Sequence, residues 1–351
     1  MTSNTQPNRP DSLDSTSTNR FIDTLNTAAV RMLANAVFGP SLLTMLSKES
    51  DLERPLIAKA PCFERNEHIQ LPAFSLTPQN QQWLQQLDKH PEALLALLHS
   101  DKHLKLGIYH ERLWQYFLSH NDNTKLLASN LKARNNGNDL GEFDLIYEHS
   151  DYGLVHLEIA SKYYLACSQA TEQWPTWLGP GKTDRLDLKL NHSLNKQMNL
   201  ADHPRASEQL LAHLDSKGIA SPTAQKPLNK QLHIGGRLFY RRKNVLESLN
   251  GSTALAKPIS TPEKLNTQHQ SGHWLLLSEW EALLDKYQVD YHLVDKPYWL
   301  DTASGNQRRL ANKSADNEIA TRMPEMIIYA IKELNIDTEF CFIVPNNWLT
   351  M

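Results

Sequence analysis

Two short segments, 141-GEFDLI-146 and 156-HLEIASK-162, carry the strongest structural signal in this chain. Apolar and polar residues alternate in both, which is the pattern of a half-buried β-strand. The polar, glycine-containing stretch 148-EHSDYG-153 between them is typical of a hairpin connection. The sequence therefore predicts a β-hairpin over residues 141–162.

The predicted hairpin brings two acids together. Asp144 and Glu158 lie on its two strands, and ionised carboxylates a few ångströms apart repel each other unless a divalent cation neutralises them. Side-chain alternation places Lys162 on the same strand face as Glu158. We therefore predict a Mg2+ site, which Mn2+ could also fill, with an amine beside it.

Composition describes a globular protein whose net charge gives no general attraction to nucleic acid. The chain has 351 residues, of which 40% are hydrophobic and 21% charged, and its formal net charge is -3. This length suffices for a substantial core in one or two domains. Phosphate binding would therefore depend on a local basic groove.

Signals for export, membrane insertion and disulfide formation are missing from the sequence. The polar first 20 residues lack the basic start and apolar stretch of an export signal, and no apolar run approaches the roughly 20 residues that span a bilayer. Cys62, Cys167 and Cys341 are far apart, with no Cys-x-x-Cys spacing. We expect a cytoplasmic protein.

Hydrophobic periodicity divides the chain into five regions. They are a disordered tail over residues 1–20, a helical N-terminal region over 21–105, an α/β core over 106–245, a loop or linker over 246–272, and an α+β C-terminal extension over 273–351. The expected order of elements in the core is α-β-β-β-α-β. In the extension, the predicted helices cover residues 274–287 and 325–334, and the predicted strands cover 289–294 and 339–344.

The core, over residues 106–242, resembles the PD-(D/E)XK nuclease superfamily, which has a restriction-endonuclease-like mixed sheet. The resemblance lies in the helix acid Glu111, the strand acids Asp144 and Glu158, and the following lysine. It implies Mg2+-dependent phosphodiester hydrolysis, with the three acids as metal ligands and Lys162 orienting water or stabilising developing charge. The family places its lysine two residues after the second acid, where this chain has Ala160. Lys162 is therefore displaced by about 6.5 Å along the strand.

The whole chain also resembles an uncharacterised bacterial family, domain of unknown function 1853. The likeness rests on 30-VRMLA-34, on Gly179-Pro180 followed by 184-DRLD-187, and on 236-GRLFYRR-242. That family implies no activity, so it supplies a fold expectation and leaves the substrate open.

Further polar residues are candidates for binding the substrate. The resemblance to the nuclease superfamily implies a further polar residue that faces the site from the helix after the hairpin. Lys189, His192, Lys196 and Gln197 lie there, and Gln197 is the one we expect to face the site. Arg241 and Arg242 lie among aromatic residues, a mixture that contacts phosphates and bases. Residues 179–183 imitate the end of a phosphate loop, but Thr176 stands where that loop needs its first glycine.

For each candidate, a structural interpretation without a functional role remains open. Asp144, Glu158 and Glu111 could be solvated acids, Lys162 could be a structural partner of Glu158, and the arginines could belong to an edge strand. The predicted function is a metal-dependent nuclease acting on nucleic acid, DNA being the expected substrate. The alternative is a non-catalytic nucleic-acid-binding or interaction protein on the same core.

Overall fold

A large mixed β-sheet organises the chain. The computed structural model describes residues 15–44, 69–72, 74–99, 105–223, 227–242, 261–311 and 323–350. The strands are β1 (Ile69–Gln70), β2 (Thr124–Asn135), β3 (Asn138–His149), β4 (Gly153–Ala166), β5 (Trp177–Leu178), β6 (Asn229–Arg241), β7 (Gln270–Leu276), β8 (Val289–Leu293), β9 (Glu325–Ile331) and β10 (Ile336–Val344).

The sheet runs in the order β2-β3-β4-β6-β7-β10-β9-β8, with β1 beside β6 and β5 beside β4. Antiparallel pairs form its two ends, and parallel pairs join β4 to β6, β6 to β7 and β7 to β10. The predicted hairpin is confirmed, because β3 and β4 pair from Leu145–Leu157 to His149–Gly153.

Helices cover both faces of the sheet. They are α1 (Ser15–Thr24), α2 (Ala28–Phe38), α3 (Pro78–Lys89), α4 (Glu92–Leu98), α5 (Leu106–His120), α6 (Leu186–His192), α7 (Pro204–Ser216), α8 (Leu277–Lys286) and α9 (Ala303–Leu310). None of those in the described ranges offers an apolar stretch long enough for a bilayer crossing.

The two helices that flank the hairpin bury apolar residues at helical spacing. Leu113 and Phe117 of α5 pack in one core with Leu145 and Leu157. On the opposite face, Leu186 and Leu190 of α6 share a core with Tyr164 of β4, with Leu232 and Leu238 of β6, and with Trp177. The core runs in the order α5, β2, β3, β4, β5, α6, α7 and β6, so β5 and α7 are inserted in the expected order of α-β-β-β-α-β.

β4 and β6 approach each other very closely at Gly236. Its φ is +117°, and a Cβ added there would lie 1.8 Å from the carbonyl oxygen of Lys162. No residue with a side chain fits this position. The register of β4 is therefore fixed beside the candidate site.

Three sequence predictions need correction. Residues 274–287 form the end of β7 followed by α8, and residues 325–331 form β9. β9 lies between β8 and β10 with Met326 and Ile328 in one core and Ile327 and Tyr329 in another, so its apolar run lacks the alternation of a half-buried strand. The predicted tail is helical from Ser15, while residues 1–14 lie outside the described part.

The C-terminal extension completes the same sheet, because β7 pairs with β6. The predicted linker over residues 246–272 includes the start of β7, and residues 243–260 lie outside the described residues. Sequence analysis also missed α7, although Pro204 at its start and the spacing of Ala206, Leu210 and Leu214 are helical signals.

A buried ion pair joins the N-terminal helices to the C-terminal part. Arg31 of α2 donates to Asp301 through Nε at 2.8 Å and Nη2 at 2.7 Å, and both side chains are almost completely buried. Gly305 makes room for this pair, since a Cβ there would lie 2.4 Å from the Arg31 Nε. Removal of one partner would leave the other charge buried without compensation.

We therefore expect Asp301→Asn to lower the free energy of unfolding by about 3 to 5 kcal/mol. Denaturant titration at neutral pH measures the loss. The matched control is Glu208→Gln, which breaks the exposed pair between Arg205 and Glu208 and should cost no more than about 1 kcal/mol. Equal effects of the two substitutions would contradict a structural role for the buried pair.

Candidate functional site

The two acids of the hairpin lie where β3 and β4 separate. The last paired residues are Leu145 and Leu157. Beyond them, the Ile159 main-chain N–H donates to Asp144 Oδ2 at 3.1 Å, and the Asp144 main-chain N–H donates to Glu158 Oε1 at 3.4 Å. Side-chain carboxylates thus replace the carbonyls of the sheet ladder. We call this position the strand fork.

Glu158 is held from both sides. It is 1% exposed, its Oε1 lies 2.8 Å from His156 Nε2, and its Oε2 accepts a hydrogen bond from Gln197 Nε2 at 2.7 Å. Burial lowers the pKa of His156 to about 4, so the imidazole is neutral at pH 7. His156 therefore contacts Glu158 as a neutral hydrogen-bond donor rather than as a cation.

A π-helical turn, Ser193–Gln197, directs Gln197 toward the fork. The side-chain oxygen of Gln197 accepts hydrogen bonds from Lys189 Nζ and Ser193 Oγ, both at 2.9 Å. This arrangement agrees with the expectation that Gln197 faces the site. It also places the Lys189 ammonium near both acids, whose charges partly offset the lowering of its pKa by burial and by Lys162.

The acids titrate as a coupled pair. Burial raises the pKa of each to about 7, and the neighbouring Glu158 charge further raises that of Asp144. A hydrogen bond between the two side chains raises the pKa of Asp144 and lowers that of Glu158, so the two carboxyls share a proton as a pair. The fork thus binds one positive charge, a proton or a cation, near neutral pH.

A family comparison places the chain among known sequences. The model of the family described as "Domain of unknown function (DUF1853)" matches residues 31–335. The chain belongs to this family. No curated protein and no solved structure matched it. Membership in DUF1853 does not indicate an activity, so the function must be inferred from the residues of the site.

In this DUF1853 member, Glu111 lies on α5 and faces the same region. It accepts a hydrogen bond from Asn130 Nδ2 at 3.0 Å. Burial raises its pKa, and the charges of Asp144 and Glu142 raise it further. Within the described ranges, no three His, Cys, Asp or Glu side chains are close enough together to hold a metal ion. The predicted three-acid set is therefore reduced to the Asp144–Glu158 pair.

Lys162 does not join the acids as the sequence predicted. Its ammonium lies 2.5 Å from Asp184 Oδ2, which also accepts a hydrogen bond from Tyr164 at 3.2 Å. Four residues along a strand separate Lys162 from Glu158, which corresponds to about 13 Å. Strand alternation gives both side chains the same face, but Asp184 is the nearer acid. Lys189 is linked to the fork instead, because it donates to Gln197 and interacts electrostatically with both acids.

The predicted substrate contacts at Arg241 and Arg242 lie elsewhere. Leu232 of β6 pairs with Glu158, and nine residues separate it from Arg241, about 30 Å along the strand. Arg241 donates to Glu279 at 2.6 Å, and the 4% exposed Arg242 donates to Glu339 at 3.3 Å. The structure does not bring these arginines to the strand fork.

Sequence reasoning missed His156 and Ser193 as partners within the site. His156 precedes Glu158 by two residues, so strand alternation already places them on one face. Ser193 precedes Gln197 by four residues, which is the spacing of neighbours on a helix. Both spacings are visible in the sequence, but a single histidine or a single serine does not by itself indicate a site.

The raised pKa of Asp144 predicts a pH-dependent stability difference. Because the folded state holds this proton up to a pH of about 7, whereas the ordinary pKa is 3.8, the stability contribution of the carboxyl falls as pH rises between these values. The Asp144→Asn variant has no ionisable carboxyl at this position, so it does not lose stability in this way as pH rises. We expect its stability relative to the natural protein to rise over this range, by on the order of 1 kcal/mol or more at pH 8.

Denaturant titrations at several pH values measure this difference. Glu158 titrates together with Asp144, and the pKa values of His156, Glu111 and Lys189 respond to the Asp144 charge, so the difference measures the titration of the coupled pair with its neighbours. Asp139→Asn, an exposed position on the same strand, should give a difference that hardly changes with pH. A flat difference for Asp144→Asn as well would refute the raised pKa.

Proposed function

We propose that this protein is a metal-dependent nuclease that hydrolyses phosphodiester bonds, with DNA as its expected substrate. The carrying observation is the strand fork, where Asp144 and Glu158 are held against each other by main-chain amides. Two carboxylates kept so close in a buried position create a site for positive charge. That is the arrangement expected of a cation-binding hydrolytic site.

The surrounding elements support this proposal by resemblance. A helix, three antiparallel strands, a second helix and a parallel strand follow in the order of the PD-(D/E)XK nuclease core, and the acids stand on the second and third strands. This restriction-endonuclease-like assignment belongs to the proposal. The likeness of fold alone would not argue for an activity.

The residues of the fork fit a Mg2+ ion. Hard carboxylate oxygens are the ligands that Mg2+ prefers, and it commonly uses one or two carboxylates together with substrate phosphates. Asp144 and Glu158 would hold it, and Glu111 lies near enough to add to the negative field. When bound, Mg2+ would supply Lewis-acid polarisation of the phosphodiester.

The other residues around the fork would position the Glu158 carboxylate and balance negative charge. Gln197 and His156 fix the Glu158 carboxylate through its two oxygens. Lys189 is placed to stabilise negative charge that develops on phosphate oxygens, because its ammonium lies beside the acids and is partly withdrawn from water. It takes the role that the resemblance assigns to Lys162.

We expect the purified protein to cut DNA in the presence of Mg2+ or Mn2+. Asp144→Asn and Glu158→Gln should each lower the cleavage rate at least about 100-fold, because either change removes a carboxylate that holds the metal. Gel assays on single-stranded, duplex and branched DNA, and on RNA, measure the rates. Glu208→Gln serves as an acid-to-amide control at an exposed position.

One observation favours a second candidate function, a non-catalytic nucleic-acid-binding protein. Lys162 is engaged by Asp184, and both oxygens of Glu158 already accept hydrogen bonds. DNA binding without cleavage under all these conditions would support that candidate. Cleavage that survives unchanged in both acid variants would exclude the fork as the catalytic site.

The two lysines should differ in their kinetic effects. We expect Lys189→Gln to lower kcat by about 100-fold or more, since it removes a charge beside the reacting phosphate. Lys162→Gln should act mainly on KM, because its ammonium lies away from the acids. Steady-state kinetics on one oligonucleotide separate the two. A larger loss of kcat in Lys162→Gln would reverse the assignment.

A further inference from the structure

A second feature lies along the edge of β4 that faces away from β6. The ladder with β3 ends at Leu157, and the ladder with β5 begins at Leu165. Between these points, the described residues pair with β4 only on its β6 side. A cavity of about 740 Å³ opens here, lined by Lys105, Leu106, Ser161, Lys162, Tyr163, Gly179, Pro180, Gly181, Thr183, Asp184, Lys296 and Trp299.

The cavity has an excess of positive charge. Three lysines line it, and Asp184 is the one carboxylate among the lining residues. Asp184 is already bound by Lys162 and Tyr164. Lys105 and Lys296 are exposed, and neither forms an ion pair with a carboxylate in the part of the chain that the structure describes. Two ammonium groups are thus available to an anion.

Trp299 gives the cavity a fixed aromatic wall. Its indole N–H donates to the Val294 carbonyl at 2.8 Å, and its ring packs edge-on against Tyr163 with 5.2 Å between centroids. Lys296 lies 6.0 Å from the same ring. Fixed aromatic rings beside lysines are typical of sites that stack an unpaired base and contact its phosphate.

The loop that imitates a phosphate loop forms another wall. Its Gly179, Gly181 and Thr183 all line the cavity, and the turn is closed by a hydrogen bond from the Lys182 N–H to the Gly179 carbonyl at 2.8 Å. A Cβ added at Gly181 would meet no atom within 4 Å. The glycine therefore borders open space, which leaves the main chain accessible to a ligand.

We propose that this cavity binds a nucleotide unit of single-stranded DNA, with its phosphate at Lys105 and Lys296 and its base against Trp299. The inference deepens the proposed function, on which it rests, by naming the substrate class. A single strand fits because its unpaired bases are free to stack on an aromatic ring. The cavity begins at Ser161, about 10 Å along β4 from Glu158, which is the length of about three stacked nucleotides.

The test is equilibrium binding of a short 3′-labelled oligothymidylate to the full chain in EDTA, followed by fluorescence anisotropy over a salt series. We expect the double variant Lys105→Gln/Lys296→Gln to reduce the slope of log affinity against log salt by about 0.7, since the two lysines would neutralise one phosphate and each neutralised phosphate contributes about 0.7. Affinity at the lowest salt should fall roughly tenfold or more. Lys217→Gln/Lys286→Gln, two exposed lysines outside the cavity lining, is the matched control and should change neither quantity.

Trp299→Leu provides a second arm. It should weaken binding at least about fivefold without changing the salt slope, because stacking carries no charge. Its thermal unfolding is compared with that of the natural protein, since Trp299 also packs against Phe342. Oligonucleotides with a 5′-phosphate and a 5′-hydroxyl distinguish a terminal phosphate from an internal one.

The outcomes separate this inference from the proposed function. The cavity assignment would be overturned if the Lys105/Lys296 double variant and the control double variant bound the oligonucleotide equally well. It would also be overturned if the natural protein bound duplex more tightly than single strand. Both results would count even if the protein cuts DNA. Single-strand binding that depends on Lys105, Lys296 and Trp299 would support the assignment, even if no cleavage occurs with Mg2+ or Mn2+.

Discussion

The hydrogen bonds at the strand fork are the constraint on which the rest of the site depends. When β3 leaves β4, the amides of Asp144 and Ile159 lose their ladder partners, and buried amides need acceptors. The carboxylates of Glu158 and Asp144 supply them. Satisfying the main chain therefore fixes two acids in contact. Burial then raises both pKa values, and the Glu158 charge raises the pKa of Asp144 further. The separation of β3 from β4 is therefore the cause of both the position of the two acids and their raised pKa values.

The acid pair could be predicted from sequence, whereas the amine could not. Asp144 and Glu158 are placed by local alternation, because a hairpin brings opposite residues together whatever the rest of the fold. Lys162 shares that alternation but contacts Asp184, a residue from a later segment. Lys189 reaches the fork because α6 packs across β4 and β6, which is a tertiary relation without a local signal. Gln197 was predicted through resemblance, and the π-helical turn that directs it was not.

The same division applies to the fold. β3 was predicted because the polar residues Glu142, Asp144 and Glu148 interrupt its apolar residues at even-numbered positions. β9 failed because both its faces are buried, so its sequence 325-EMIIYAI-331 shows no period of two. The start of β7 was assigned to the linker and its end to a helix. Local sequence patterns could not have corrected either error, because pairing with strands from distant parts of the chain determines the secondary structure of these segments.

The pairing of β6 with β7 has a consequence for the integrity of the protein. Phe239 of β6 packs with Trp274, Phe340 and Phe342, which all follow the core in sequence. A chain shortened after β6 would expose this aromatic surface together with a row of unpaired main-chain groups, the usual origin of intermolecular strand addition and precipitation. The C-terminal part is thus needed to complete the folded sheet.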